Sequence, residues 1–559
     1  MPRLIECVPN FSEGRDRTVI DAIAGRIETV DGVRLLAVDA GQATNRTVVT
    51  FVGSPEDVIE AAVRAVATAT ELIDMTRHRG EHPRFGATDV CPLVPVSGVT
   101  MEETIEYAHE LARRLADEVG LSIFCYENAA LVPARRNLAD VRAGEYEGLE
   151  SRLQDPNWQP DFGPATFNRR SGATAVGARG FLVAYNINLN TTSTRRANAI
   201  AFDVRERGRV KRTGHPLTGE IELDENGEEV WIPGSLKEVK AIGWFIEEYG
   251  IAQISMNLTD IGITPVHVAF DEVVRRAAAR GVRVTGSELV GLIPRDAMLE
   301  AGRHYLRRQQ RSTGVADAEL IKIAIKSLGL DELGPFDPHE KIIEYAIAAG
   351  VDRLAEMSIR RFVEETASES VAPGGGSVAA NLGALGAALG TMVANISAHK
   401  RGWDDRWEEF STWAEQGKAC HDELVTLIDA DTDAFREIMA ALGLPQNTDA
   451  AQAARDEAIE AATRRAIEVP LRVMEIALAS MDVIAAMAEI GIAASASDAG
   501  VGALCARSAV MGAYLNVRIN AAGLADRTAA SEYVRRGRDL QEQAVTRERE
   551  ILAEVERRL

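Results

Sequence analysis

The chain has 559 residues, which at roughly 100 to 200 residues per domain excludes one small binding module and predicts about three to five structural units. With 46% hydrophobic and 26% charged residues and a mean hydropathy of -0.09, it can build sizeable cores, which excludes wholesale disorder. The 62 Lys and Arg against 84 Asp and Glu leave a formal net charge of -22, which repels nucleic acid, and no local basic patch reverses that.

The N-terminus, MPRLIECVPNFSEG, has neither the apolar run of a signal peptide nor the Arg- and Ser-rich texture of a transit peptide. Leu4 to Val8 then reads as a strand, Arg17 to Ile27 as a helix with Ile20, Ile23 and Ile27 on one face, and Val33 to Asp39 and Thr47 to Val52 as two more strands. Ser54 as N-cap and Pro55 at the first position open a helix to Ile73, and Val90 to Val96 is the next strand. This order, β-α-β-β-α-β, is the ferredoxin-like arrangement. An extra helix (Met101 to Val119) and strand (Leu121 to Tyr126) follow.

From Ala173 the same order recurs: strand 173–189, helix 193–207, strands near 237–246 and 251–258, helix 265–280 and strand 282–288. Two such α/β modules joined edge to edge leave a groove between them. Leu217 to Pro233 interrupts the second as an acidic hairpin turning at Asn226-Gly227. Around Pro335 to Ala349 the texture changes to an alanine-rich, helical period that runs to Leu559, predicting an all-helical bundle whose few prolines sit near helix starts. The uncharged stretch Ser370 to Ala398 is long enough for a membrane span, but its interleaved Gly and Ala suit a closely packed helix of a soluble bundle. Five widely spaced cysteines without a CxxC pair (Cys7, Cys91, Cys125, Cys420, Cys505) predict reduced thiols in a cytoplasmic protein and no metal site.

The densest chemical segment is Arg77 to Asp89, RHRGEHPRFGATD. His78 to His82 fits the letters H-x-x-E-H of a zinc-binding helix, but Gly80 inside it and Pro83 after it argue for a loop instead. Either this is a solvated charged loop, or a histidine titrating near neutrality shuttles a proton while Arg77, Arg79 and Arg84 hold an acidic substrate.

In the helical half, Asp431 shares a face with Leu424, Leu427, Ile428, Phe435, Ile438 and Leu442, whereas Asp429 and Asp433 fall on the opposite, polar face. A carboxyl among apolar groups has a raised pKa and can exchange protons near neutral pH; a buried aspartate satisfied by a structural hydrogen bond is the competing reading. Gly374, Gly375, Gly376 and Ser377 open the small-residue helix without the lysine of a P-loop, offering backbone N–H groups to a carboxylate and room for a flat ligand. Asp498, beside Ser497, either borders the same site or caps the next helix.

ECVPNFSEG (6–14), VDAG (38–41), TNRTV (44–48), RHRGEHPRFGATDVCP (77–92), DFGP (161–164) and GFLVAYNINL (180–189) resemble glutamate formiminotransferases. FDPHEKIIEY (336–345), APGGGSVAA (372–380) and LIDADTDAF (427–435) resemble formiminotetrahydrofolate cyclodeaminases, so nearly the whole chain is similar to the bifunctional formiminotransferase-cyclodeaminase family. The resemblance implies formiminotransferase subdomains at 1–179 and 180–336, a linker at 337–354 and a helical cyclodeaminase domain at 355–559. The implied chemistry is transfer of a formimino group from N-formimino-L-glutamate to tetrahydrofolate, then closure to 5,10-methenyltetrahydrofolate with loss of ammonia.

His82 falls on the family's transferase acid/base and Asp431 on its cyclodeaminase aspartate. The family's folate segment falls on Gly163, Pro164, Ala165, Thr166, Phe167, Asn168, Arg169, Arg170, Ser171 and Gly172, where Arg169 and Arg170 can pair with the carboxylates of a folyl tail. Asn10, Ser12, Asp39 and Arg84 are candidates for lining the transferase groove. Tetrahydrofolate enters as substrate, with polyglutamylated folates included; no metal, nucleic acid or membrane partner is expected, and a homo-oligomer is. The rival readings are a transferase using 5-formyltetrahydrofolate, a methenyltetrahydrofolate cyclohydrolase and a non-catalytic assembly protein.

Overall fold

The computed structural model describes residues 3–42, 44–80, 83–214, 219–348 and 353–559. The chain divides into two compact units: Met1–Ala301 with Ala324–Ala349, which carries the sheets, and Gly302–Ile323 with Gly350–Leu559, which is built from helices.

In the first unit, side-chain alternation decides where helices pack. Ile5 and Cys7 on strand Leu4–Cys7, Val49 and Phe51 on Arg46–Gly53, and Cys91 and Leu93 on Thr88–Ser97 share one core with Ile23 and Ile27 of helix Arg17–Glu28 and Val58, Ala62 and Val66 of helix Pro55–Leu72. Ser54 caps the latter helix by accepting from the Asp57 N–H, with Pro55 at its first position. The strands run in the order Arg34–Gly41, Arg46–Gly53, Leu4–Cys7, Thr88–Ser97, all antiparallel, with the short strand Asn10–Phe11 extending the middle. Beyond Thr88–Ser97, strands Ala173–Ala178 and Ser122–Glu127 add in parallel.

The strand expected over 173–189 is therefore two strands in two sheets. Ala173–Ala178 lies between parallel neighbours and is buried throughout, and it ends where Arg179 and Gly180 interrupt the apolar run. Val183–Leu189 starts the second module, whose antiparallel order is Val239–Ile246, Ile251–Leu258, Val183–Leu189, Val284–Val290, accompanied by helices Thr194–Val204 and Val266–Ala278. Tyr185, Ile187 and Leu189 make the apolar face of its central strand, while Asn186 and Asn188 point the other way. These buried amides are paired: Asn186 donates to Glu288 (3.3 Å), and Gln253 donates to Asn188 (2.8 Å).

The insertion turns at Asn226-Gly227 as the sequence predicts, with Gly227 at φ +80°, and Trp231–Ile232 pairs with Arg209–Val210. Residues 338–348, expected as linker, form the short helices Pro338–Lys341 and Ile343–Ala348, and Ile343 and Ala346 are buried against Leu292.

Among the described residues, the helical unit has five long helices, Gly375–Ala398, Trp407–Leu442, Asp449–Ile490, Ala496–Ala521 and Arg527–Arg558. Gly375–Ala398 is long and apolar enough to cross a membrane, yet most of it is buried inside the bundle. Its glycines explain the packing. A Cβ on Gly386 would lie 2.8 Å from the Gly502 carbonyl oxygen and 3.0 Å from the Ala506 nitrogen, so two helix backbones touch there.

One expectation fails: Pro470 sits in the middle of Asp449–Ile490, not near a helix start. Proline removes the N–H that the carbonyl four residues earlier would receive. Here that carbonyl, on Ala466, accepts from the side-chain amide of Asn520 at 2.7 Å, so the helix continues without a buried orphan.

Candidate functional site

The loop between helix Pro55–Leu72 and strand Thr88–Ser97 carries the histidine segment. His82 and Glu81 lie outside the described residues. Gly80 presses on the preceding hairpin, since a Cβ there would come 2.1 Å from the Thr44 carbonyl oxygen. The buried His78 meets the Asn45 carbonyl through Nε2 (2.8 Å), and Nδ1 receives the Arg84 Nε–H (3.2 Å). Arginine can only donate, so Nδ1 is the acceptor and the ring is neutral with its proton on Nε2. Burial, with the Arg84 charge beside it, holds its pKa below the usual histidine value.

Arg84, expected as a groove-lining substrate contact, is heavily engaged within the protein. Besides His78 it donates to Glu145 (3.1 Å) and to both carboxylate oxygens of Glu147 (2.9 and 2.8 Å), and these partners raise its pKa. Ser12 is also a clamp and not a lining residue, being buried and donating to the Gly86 carbonyl at 2.7 Å. Asn10 accepts from Arg46 Nε at 2.9 Å, and Arg46 and Arg142 both hold the fully buried Asp89, at 2.5 and 2.8 Å. Asp39 is half-buried on its strand.

Residues 163–172 lie against this loop: Ser171 O accepts from the Ala87 N–H (2.7 Å), and Gly172 bridges to Gly86. The segment is an exposed turn in which the Asn168 side chain accepts from the N–H groups of Arg170 and Ser171 (3.0 and 3.2 Å) and Phe167 packs on Tyr146. Arg170 is tied to the Glu71 carbonyl (2.6 Å), whereas the Arg169 side chain is 76% exposed and makes a long ion pair with the exposed Glu150 (3.9 Å).

Several participants escaped the sequence reading. Asn45, at φ +48°, is a strained non-glycine position that delivers its carbonyl to His78. Glu6, buried on the sheet face opposite the helices, has its pKa pushed up to about 7 by burial, against the pull of Arg179. TNRTV and ECVPNF carry both residues, but only the register of strands distant in sequence says which side chains meet.

In the helical unit Asp431 is half-buried beside the start of helix Gly375–Ala398. Ser377 Oγ donates to its Oδ2 at 3.1 Å, and a Cβ on Gly376 would lie 2.0 Å from its Oδ1, so only glycine lets the helix start meet the carboxylate. Burial raises its pKa, opposed by hydrogen bonds from the Ser377 hydroxyl and backbone. Gly375 faces the Asn516 amide, 3.6 Å from its Cβ direction, a neighbour that the sequence does not single out.

The apolar stripe is shorter than its sequence implies: Leu424, Leu427 and Ile428 are buried, while Phe435 and Leu442 are exposed. Asp498 is not part of this cluster. It lies eighteen residues before Asn516 on the same helix, about 27 Å of helix rise away. Asp429 is no idle polar-face residue either, because it accepts from the N–H groups of Leu354 (2.8 Å) and Ala355 (3.4 Å). Among the described residues, no group of three or more His, Cys, Asp and Glu side chains converges on a point that could hold a metal ion.

Three family models match the chain. Residues 4–179 match the formiminotransferase domain, N-terminal subdomain; 184–348 match the formiminotransferase domain; and 358–538 match formiminotransferase-cyclodeaminase. The chain is 43% identical over 563 residues to a formimidoyltransferase-cyclodeaminase of Gallus gallus, covering 100% of both. It is 39% identical over 307 residues to a glutamate formimidoyltransferase of Streptococcus pyogenes serotype M1, covering 55% of this chain and 94% of that one. It is also 38% identical over 175 residues to a methenyltetrahydrofolate cyclohydrolase of Methylorubrum extorquens, covering 31% of this chain and 84% of that one.

Proposed function

The chain belongs to the formiminotransferase-cyclodeaminase family, and we propose that it moves the formimino group of N-formimino-L-glutamate to tetrahydrofolate and then closes the product to 5,10-methenyltetrahydrofolate. The observation that carries this reading is the raised, half-buried Asp431 carboxyl held by Ser377 at a glycine helix start, in a chain that aligns end to end with a two-activity relative. In the first step N5 of the folate attacks the formimino carbon, and His82 takes the N5 proton and returns it to the departing glutamate nitrogen. The neutral His78 and the engaged Arg84 fix the loop that bears it. In the second step N10 attacks the same carbon, and Asp431 carries the proton from N10 to the nitrogen that leaves as ammonia.

Residues 163–172 bind the folate in this reading, supported by their position beside the loop and by the exposed Arg169. Gly374 to Ser377 receive folate in the helical unit. Both α/β modules are ferredoxin-like, which their shared strand order supports, and the first gives way to the second near residue 179. We place the enzyme in the cytoplasm, on the support of five free thiols, and as a homo-oligomer, on the support of Leu515 and Ile519, which expose large apolar side chains.

Mixing the protein with formiminoglutamate and tetrahydrofolate while following methenyl absorbance and ammonia together tests both activities. Absorbance and ammonia rising in equal amounts is the expected result; no turnover sinks the reading. The cyclohydrolase relative favours a second reading of the helical unit. Hydrolysis of supplied methenyltetrahydrofolate without any ammonia-forming activity would establish it.

A further inference from the structure

The start of helix Gly375–Ala398 is closed on one side and open on the other. Over Gly376 it is closed, because a Cβ there would fall 2.0 Å from Oδ1 of Asp431. Over Gly374 no described atom beyond its chain neighbours lies within 4 Å of a Cβ position. Over Gly375 the nearest atoms belong to the Asn516 side-chain amide, Nδ2 at 3.6 Å and Oδ1 at 3.8 Å. Those are ordinary contact distances, so a methyl group would fit at Gly375 without displacing anything, and glycine leaves that space to something else. Successive residues of a helix point about 100° apart, so Asp431 and Asn516 flank one opening from two other helices, Trp407–Leu442 and Ala496–Ala521.

The steps given above for ring closure make no use of Asn516. Its own helix fixes which way its amide points. Nδ2 donates to the Gly512 carbonyl at 3.1 Å, and a carbonyl can only accept, so the nitrogen and not the oxygen lies there. Oδ1, an acceptor, is the end of this half-buried amide with no partner among the described residues.

Resting on the cyclodeaminase reading above, we infer that Asn516 binds the formimino nitrogen of the substrate, its Oδ1 accepting from the N–H of the group that leaves as ammonia. A formamidine is protonated near neutral pH and its terminal nitrogen carries N–H donors, whereas the formyl group of 5-formyltetrahydrofolate, of nearly the same size, ends in an oxygen that only accepts. An acceptor at this point attracts the first and repels the second. Asn516 thus sets the choice of nitrogen over oxygen, while Asp431 moves the proton.

The test uses the full chain and follows methenyl formation from supplied 5-formiminotetrahydrofolate, which reads the helical unit although folates also bind the transferase. The inhibition constant of 5-formyltetrahydrofolate against that closure is measured beside it. Asn516→Leu should lower kcat/KM for the formimino substrate about 10- to 100-fold and leave the formyl inhibition constant within about twofold. Its melting temperature should not change, because the Gly512 carbonyl keeps its helical N–H partner. Asn516→Asp retains the shape and the acceptor and should recover most of what leucine loses; it carries the comparison if the leucine variant melts lower. Gly375→Ala, which fills the opening, should weaken both ligands together by about tenfold. Equal losses on both ligands in Asn516→Leu, no loss on either, no recovery in Asn516→Asp, or wild-type closure by Gly375→Ala each overturns the assignment. A wild-type chain that closes no formimino substrate removes the cyclodeaminase reading and this assignment with it, whereas closure that Asn516→Leu leaves intact removes the assignment alone.

Discussion

The α/β unit and the helical unit each bury an ionisable side chain so that its neutral form is favoured, and they surround it differently. His78 belongs to a web in which Arg84 of its own loop, Asn45 of the preceding hairpin, and Glu145 and Glu147 of one later helix satisfy one another. Asp431 has far fewer polar partners, chiefly Ser377, and is otherwise placed by glycines that let one helix start press against it. A web makes stability and activity inseparable, because deleting one member strands the rest in low dielectric. A carboxyl placed by close packing can change chemically with little effect on the fold.

The sharpest test of that contrast is Asp431→Asn, which should lower cyclisation about 10²- to 10⁴-fold and leave both transfer and the melting temperature unchanged. A melting temperature that falls along with activity would erase the distinction. His82→Ala should do the reverse to the activities by a similar factor, with 5-formiminotetrahydrofolate still closing normally. Rates with each supplied substrate check both.

Next in size, Arg84→Met should destabilise the α/β unit by about 1 to 3 kcal/mol and reduce transfer with it, because it leaves His78 and Glu147 without their donor. Retention of stability with loss of transfer would show that Arg84 contacts substrate after all.

His78 adds a pH signature. Its folded pKa is depressed below the unfolded value near 6.5. The neutral ring therefore contributes stability above about pH 6.5, and that contribution is lost as pH falls through the folded pKa. The stability gap between wild type and His78→Gln should accordingly close on acidification; a gap that widens instead would mean the ring is charged in the fold.

A smaller effect is expected from Ser377→Ala. Removing a bond that lowers the Asp431 pKa lets burial raise it further, so the corresponding limb of the cyclisation pH profile should move to higher pH, by less than about one unit. Movement to lower pH would mean that Ser377 bonds the protonated form. Smallest of all, Asp433→Asn should stay within about 0.5 kcal/mol of wild type and keep full activity, since Asp433 is exposed and pairs with the exposed Arg436 at 3.1 Å. Asp429 cannot serve as that silent control, because it pins the Leu354 and Ala355 backbone.

Legibility in the sequence followed the same division. Helical phase placed Asp431 on the correct side of its helix because the period is local, and caps such as Ser54 were readable for the same reason. Strand partners are not local. The Arg179-Gly180 break in the run from Ala173 to Leu189 does not say that its two sides join different sheets, nor does the motif around Arg84 say that most of its donors go to Glu145 and Glu147, 61 and 63 residues away. Asp498 sat in a suggestive sequence, yet antiparallel pairing of its helix with Gly375–Ala398 brings Asn516, not Asp498, to the glycine start. Pro470 was misplaced because a proline's tolerance depends on a donor fifty residues away.

That last arrangement sets how this bundle comes apart. The helix Asp449–Ile490 has a gap in its own ladder at Ala466, closed by an amide on a helix that is synthesised later. Its two halves are then joined across Pro470 by a tertiary bond, and the halves can separate as soon as Ala496–Ala521 detaches. Backbone amides flanking Pro470 should thus exchange with deuterium in the same opening event as those around Asn520, and a chain ended before Ala496 should fray at Ala466 instead of keeping a single continuous rod.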